Sequence, residues 1–378
     1  MKARSGSRYI FARTYSQTQL KTAVMKIDMM KWKDSIISSD ERKAMPIMTY
    51  PGLGLTGKTI SDMINDGEVQ YQSIKALSDR YDFAASATMV MALYVEAEAF
   101  GSTISYSENE IPTVSCRLID SFSSLGSIKI PEVGSGKTGE HIKAAKLAVE
   151  NITNHPVFGG IIGPYSLASR LFDMTEFMTA ILTDPDDSHA LLQICTDFLK
   201  KYAMAFRKAG CNGVIIAEPA AGLLAENECD EFSSSYVKQI VDYVQDESFI
   251  VILHNCGNTV RLVRSMVSTG SAGFHFGNAV DMLDILPQVP SDRLVFGNLD
   301  PAGLIKNGTP ELISQRTLDL LKKTSSFKNF VLSTGCDVPP GTKLENIDAM
   351  FNALDEFNKD ISSLEIDFSE DIHIKACC

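Results

Sequence analysis

Two thiols stand at the ends of apolar runs. Residues 249–258 read FIVILHNCGN and residues 330–336 read FVLSTGC. An apolar run of this length, bounded by polar turn residues, predicts a strand buried on both faces. Residues i and i+2 of a strand project to the same side, so His254 and Cys256 leave the strand end together. Imidazole and thiolate are ligands that suit zinc. With Cys336 at the end of the second run, they make a zinc site with three protein ligands and room for a fourth. Each residue also has a plainer reading. A buried cysteine packs as a small hydrophobe, and a lone histidine is more often structural. The second strand-end cysteine favours the metal, because parallel α/β folds gather their sites at strand ends.

Other polar residues share such positions. Glu218 ends VIIAE, His275 lies in GFHFGN, and Asn298 and Asp300 follow the run 294–297. His275 is a candidate catalytic residue that would shuttle a proton, or else a structural histidine. Asn298 and Asp300 would orient substrate or tie loops. Residues 52–59 read GLGLTGKT, which matches a phosphate-binding loop. Its amides would cradle phosphates with Lys58 as counter-charge. The run before it, 46–50, is short, however, and Pro51 directly precedes it. Glu218 is a poor substitute for the strand-end aspartate such a site needs for magnesium. The plainer reading is a strand-to-helix turn whose glycines let the chain bend tightly. GSGKT at 134–138 lacks the leading glycine and reads as loop.

These residues need a scaffold of alternating elements. Strands are predicted at 46–50, 87–94, 157–162, 213–217, 249–253, 273–276, 294–297 and 330–333. Helices are predicted at 59–81, 139–151, 167–178, 188–209, 232–244, 259–268, 279–286, 310–323 and 344–357. Residues 101–135 form a polar excursion with short strands and loops. Eight strands, most followed by a helix, predict a single-domain (β/α)8 TIM barrel over residues 28–360. A doubly wound open sheet is the alternative.

The flanks differ from this body. Residues 1–27 carry six cations and no acid. They read as an N-terminal extension or, less simply, as a transit peptide, and Met25 is an alternative start. Residues 361–378 read as a tail, and the terminal Cys377-Cys378 pair as its exposed end rather than a lipidation site.

The chain has 378 residues, 44% of them hydrophobic, enough for a sizeable core. A net charge of −12 argues against nucleic acid as a partner. No apolar run reaches membrane-spanning length. Eight cysteines without framework spacing read as reduced thiols of a cytoplasmic protein.

Several pieces together resemble one superfamily. They are YVEAEAFG (94–101), GPYSLASRLF (163–172), HNCGNT (254–259), FGNLDP (296–301) and STGCDVPPGTKLENIDAM (333–350). In this order, over roughly residues 30–357, they resemble the uroporphyrinogen decarboxylase superfamily, and within it the zinc-dependent corrinoid methyltransferases. The resemblance implies a (β/α)8 barrel with zinc at its mouth, and His254, Cys256 and Cys336 match its zinc motif. It places Glu218 near the metal, as a fourth ligand or a catalytic proton handler. It also implies a corrinoid carried by a partner protein, and a small thiol or methyl-ether substrate. Zinc there would hold a thiol as its thiolate to accept a methyl group, or polarise an ether oxygen so that the group could leave. A homodimer is compatible with the sequence, which does not settle oligomeric state. The alternative is a decarboxylase-like lyase acting on a tetrapyrrole. That reading leaves the thiols unexplained, and the loop region 45–59 offers no arginine for substrate carboxylates. A barrel that keeps zinc for structure alone would need four protein ligands.

Overall fold

The computed structural model describes residues 27–107 and 110–374, with side chains through residue 361. The basic segment 1–26 and the Cys377-Cys378 pair lie outside the described residues. Nine strands are present among those described: β1 Ser86–Ala87, β2 Thr103–Ser105, β3 Thr113–Cys116, β4 Val157–Ile162, β5 Gly213–Ala217, β6 Ile250–Asn255, β7 Gly273–Phe276, β8 Leu294–Leu299 and β9 Phe330–Thr334. Seven build one curled, all-parallel sheet in the order β1-β4-β5-β6-β7-β8-β9. The other two pair antiparallel within the polar excursion. Helices connect and cover the sheet, as parallel strands require.

Strands β4, β5 and β7 coincide with their predicted spans, and β6, β8 and β9 agree to within two residues at each end. The first two predicted strands fail, for identifiable reasons. At 46–50 there is no regular strand. Pro46 has no amide to give a ladder, and Tyr50–Gly52 turns into a 3₁₀ helix with Pro51 in its first turn. The segment is still engaged on both sides. Ala44 bridges Leu332 in parallel, the Met45 amide donates to the Leu332 carbonyl, and the Ala84 amide donates to the Ala44 carbonyl. The strand predicted at 87–94 shrinks to two residues. Thr88 Oγ1 accepts the Gly160 amide at 3.0 Å, taking the place of a ladder carbonyl. Val90 then packs over Gly160 so closely that a Cβ there would lie 2.4 Å from its Cα.

Strand alternation sorts the core into two layers. Ile215, Ala217, Ile250, Ile252, Leu294, Phe296 and Val331 face the interior of the curl and pack together. Val214, Ile216, Val251, Leu253, Phe274, Val295 and Leu332 face the helices. Each Val, Leu, Ile or Phe among them contributes about 1.5–3 kcal/mol on full burial. The helix Met29–Ser38 closes the end where the strands begin, with Met29 and Ile36 packed against Phe158 and Ile250. The opposite end, where the strands finish, is left for polar side chains.

Helix boundaries moved where caps intervene. The predicted helix 59–81 is two helices, Ile60–Asn65 and Gly67–Arg80, because the Asp66 side chain accepts the Glu68 amide and starts the second. The final helix runs Leu344–Ile374, past the predicted end at 357.

Candidate metal centre

Strand register brings the chemistry together. His254 on β6 pairs with His275 on β7, and Asn298 on β8 pairs with Ser333 on β9. His254 follows Ile250 and Ile252 along the inward face, so it closes the apolar interior from above. After β6, Asn255 Oδ1 accepts the Gly257 amide at 2.8 Å, which bends the chain and presents Cys256. After β9, Thr334 Oγ1 donates to the Cys336 carbonyl at 2.7 Å. Two glycines let these turns meet their neighbours. A Cβ at Gly277 would lie 2.5 Å from Cys256 Cα, and one at Gly335 2.5 Å from the Asn278 amide nitrogen.

The result is a compact donor set. One ligand atom each from His254, Cys256 and Cys336 lies within 4.8 Å of the others. His254 is fully buried and both cysteines are half-buried. The neighbouring Cys336 thiol is the main cause that pulls the Cys256 pKa down. The Cys256 sulfur in turn pushes the Cys336 thiol up, with burial adding to the effect. Two thiols this close oppose each other's ionisation. A divalent cation is what would let both ionise.

A hydrogen-bond chain behind His254 fixes its tautomer. Ser333 Oγ donates to the Met45 carbonyl at 2.8 Å. That carbonyl can only accept, so Ser333 Oγ accepts from His275 Nε2–H, also at 2.8 Å. His275 Nδ1 is then a bare lone pair and accepts from His254 Nδ1–H at 2.8 Å. His254 Nε2 is left unprotonated, and it is buried without a hydrogen-bond partner. Burial, with the neighbouring His254 adding to it, lowers the His275 pKa well below its ordinary value, so His275 is neutral as the chain requires. The donor set therefore fits zinc: two thiol sulfurs and one imidazole lone pair that nothing else uses.

His275 sits behind His254 and not in an open pocket. The sequence suggested a proton shuttle; both ring nitrogens are hydrogen-bonded, to His254 and Ser333. Glu218, expected as a fourth ligand or proton handler, has both its oxygens engaged in hydrogen bonds. Its Oε1 accepts the Tyr165 amide at 2.8 Å and Ser233 Oγ at 3.2 Å, and its Oε2 accepts the Ser166 amide at 2.9 Å. The carboxylate thus caps the positive end of the helix Pro164–Phe172. Gly163 makes this possible, since a Cβ there would lie 2.3 Å from Glu218 Oε2. Burial raises the Glu218 pKa despite these donors. Asn298 ties a loop, donating to the Gly277 and Val280 carbonyls at 3.0 and 2.7 Å. Asp300 caps its own turn, accepting the Ala302 and Gly303 amides.

The rival phosphate loop dissolves. Leu53–Thr56 is a helical turn, Gly57 is left-handed with φ 67°, and Thr59 caps the next helix in a box with Asp62. The Gly52, Leu53, Gly57 and Thr59 amides are spent on the chain itself, and Lys58 is exposed.

Two buried groups near this end escaped the sequence reading. Asp337 follows Cys336, and neither of its buried carboxylate oxygens has a hydrogen-bond partner. Burial pushes its pKa up to about 8. Glu96 accepts the Ile162 amide at 2.9 Å, and burial pushes it up to about 7. A single acid, whether in a loop as Asp337 or in the first turn of a helix as Glu96, carries no sequence signal for burial.

Comparison with known proteins agrees with this geometry. The sequence profile of the Uroporphyrinogen decarboxylase (URO-D) family matches residues 42–357. The methylcobamide:CoM methyltransferase MtbA of Methanosarcina mazei is 30% identical over 259 residues, 68% of this chain and 75% of that protein. The uroporphyrinogen decarboxylase of Prochlorococcus marinus is 26% identical over 242 residues, 62% of this chain and 67% of that protein. In solved structures, a methyltransferase from Methanosarcina mazei superposes with a TM-score of 0.78 at 22% identity, over 88% of this chain and 99% of that one, which shows a shared fold. The chain belongs to the uroporphyrinogen decarboxylase family, in its methyltransferase branch.

Proposed function

We propose that this enzyme is a zinc-dependent methyltransferase that moves a methyl group between a corrinoid protein and a small thiol or methyl-ether substrate. The corrinoid link rests on the methylcobamide:CoM methyltransferases to which the chain is similar. The zinc rests on one observation: the bare, buried Nε2 of His254 beside two thiol sulfurs, all within 4.8 Å. Among the described residues the group has three members, which leaves an open position of the catalytic kind, whereas a structural site would be closed by four. In the fold that this reading implies, the segment 43–48 completes an eight-membered ring between β9 and the residues before β1.

His254, Cys256 and Cys336 would hold the metal. Zinc there supplies Lewis acidity, which keeps a bound thiol ionised near neutral pH or polarises an ether oxygen. The chain's own residues do the rest. His275 and Ser333 aim the His254 lone pair, Asn255 and Thr334 set the two cysteine turns, and Glu218 locks the end of β5 to the helix Pro164–Phe172. A lyase acting on a tetrapyrrole gives the two thiols no task.

The test is zinc content of purified, chelator-rinsed protein, alone and as Cys256→Ala and Cys336→Ala. About one zinc per chain, lost in both variants along with methyl transfer from methylcobalamin to a thiol, is the expected result. Well-folded protein without zinc would sink the reading.

A further inference from the structure

A cavity of about 430 Å³ opens at the end of the sheet where the strands finish. It lies between the residues that follow β1, the helix Pro164–Phe172 that follows β4, and the hairpin of β2 and β3. Its size is that of a site for a small organic ligand. The walls are largely apolar. Met91 and Leu93 come from the segment after β1, Ile111 and Val114 from the hairpin, and Met174 from the start of the next helix. Two charged residues of the lining are committed elsewhere. Arg117 pairs with Asp120 and Glu176, at 2.8 and 3.1 Å, and Asp173 caps a helix by accepting the Thr175 and Glu176 amides.

Arg170 is different. One of its five N–H groups donates to the Ser166 carbonyl at 3.2 Å, and among the described residues no carboxylate forms an ion pair with it. Glu96 and Glu218 are near enough for their charges to act on it. Yet Glu96 Oε1 accepts the Ile162 amide, and both Glu218 oxygens are held by the Tyr165 and Ser166 amides and the Ser233 hydroxyl. A guanidinium that only held the fold together would close on one of these acids. It cannot shed its charge, and a half-buried charge is costly until an anion meets it. Three hydrogen bonds also join Arg170 to the metal centre: its own to the Ser166 carbonyl, the Ser166 amide to Glu218 Oε2 at 2.9 Å, and the Glu218 amide to the His254 carbonyl at 2.9 Å.

We infer that this cavity holds the non-reacting end of the methyl-transfer substrate, and that this end is a carboxylate on an apolar body, read by Arg170. A planar carboxylate accepts two parallel N–H bonds from a guanidinium, and the apolar walls select a ring or short chain behind it. The inference rests on the methyl-transfer reading for the role of the ligand, whereas the site itself follows from the cavity and Arg170. A two-carbon sulfonate such as coenzyme M would leave the walls uncovered. In this respect the chain would differ from the methylcobamide:CoM methyltransferases it is similar to.

Three probes without a thiol provide the test: 4-methylbenzoate, its uncharged counterpart 4-methylbenzamide, and ethanesulfonate. Calorimetry on wild type should show the carboxylate bound at least about tenfold more tightly than either of the others, the size of one charged hydrogen bond. Arg170→Gln should bring carboxylate and amide within about threefold of each other at unchanged zinc content. Val114→Glu, which sets an anion in the hairpin wall, should weaken the carboxylate alone. The carboxylate should also inhibit methyl transfer from methylcobalamin to a thiol. Equal affinities for carboxylate and amide, a preference that survives Arg170→Gln, or ethanesulfonate bound as tightly as the carboxylate would overturn the subsite. Binding without inhibition would put the ligand outside the reaction and overturn its role as substrate. Cys256→Ala separates this inference from the methyl-transfer reading, because the carboxylate preference should persist there without the metal. If Arg170→Gln does not fold, the wild-type ratio and Val114→Glu decide the question.

Discussion

Removing the acceptor behind His254 should loosen the metal without touching a ligand. In His275→Leu, the His254 Nδ1–H loses the partner it holds at 2.8 Å in a fully buried position. An unsatisfied buried donor costs about 1–3 kcal/mol. The imidazole then has two ways to recover: move its proton to Nε2, the atom needed for the metal, or rotate. Both compete with zinc. Loss of a partner that orients a metal-bound histidine typically costs ~10–100-fold in affinity, which is about 1.4–2.7 kcal/mol and agrees with the first figure. Zinc affinity, measured by competition with a chromophoric chelator, should fall by that factor in His275→Leu and by less in Ser333→Ala. His275→Gln keeps a carbonyl oxygen that can accept from Nδ1–H and should recover most of the loss. A folded His275→Leu with zinc affinity within about threefold of wild type would refute the tautomer argument.

Two other perturbations follow from specific contacts. Gly277→Ala places a Cβ 2.5 Å from the Cys256 backbone, so the turn carrying that thiol must shift. Zinc affinity should drop at least about tenfold, whereas Gly54→Ala, with nothing within 4 Å, should leave it unchanged in the same chelator assay. Glu96 gives a pH signature. Burial raises its folded pKa to about 7 from an ordinary value of 4.5, so the folded state holds the proton more tightly than the unfolded chain. Its contribution to stability is therefore full below pH ~4.5 and is lost as pH rises through ~7, by roughly 3 kcal/mol in all. Urea midpoints at pH 5 and pH 8 should show this decline in wild type and a smaller one in Glu96→Gln, and identical declines would exclude the assignment.

The sequence revealed the parts of the fold that rest on period and punctuation. Runs such as 157–162 and 213–217 are apolar throughout and end at glycine, proline or acid, so β4 and β5 could be read directly. The first two strands could not. Their pairing depends on Pro46, on the Thr88 hydroxyl standing in for a carbonyl, and on a glycine opposite Val90, and each of these is visible only once the partner strand is present. The same limit applies at the site. His254, Cys256 and Cys336 were legible because residue type and strand-end spacing already carry the chemistry. The bonds of Glu218 were not legible, because a strand-end carboxylate looks alike in sequence whether or not it accepts the amides of Tyr165 and Ser166.

His275 shows how hydrogen bonding bears on mechanism. A histidine at a strand end beside a metal site invites a proton-transfer role, yet proton transfer needs a group that exchanges with solvent or substrate. Here one ring nitrogen is engaged by His254 and the other by Ser333, whose own proton goes to the Met45 carbonyl. Every site on the ring is occupied, and burial disfavours its charged form. Protonating His275 would place a second donor against His254 Nδ1–H, which forces His254 to reverse its own proton and surrender the lone pair at Nε2. The chain of bonds therefore works only while His275 stays neutral and still. That requirement is met by a residue anchored to the backbone through Met45, and it makes the strand register of β6, β7 and β9 part of the proposed metal site itself.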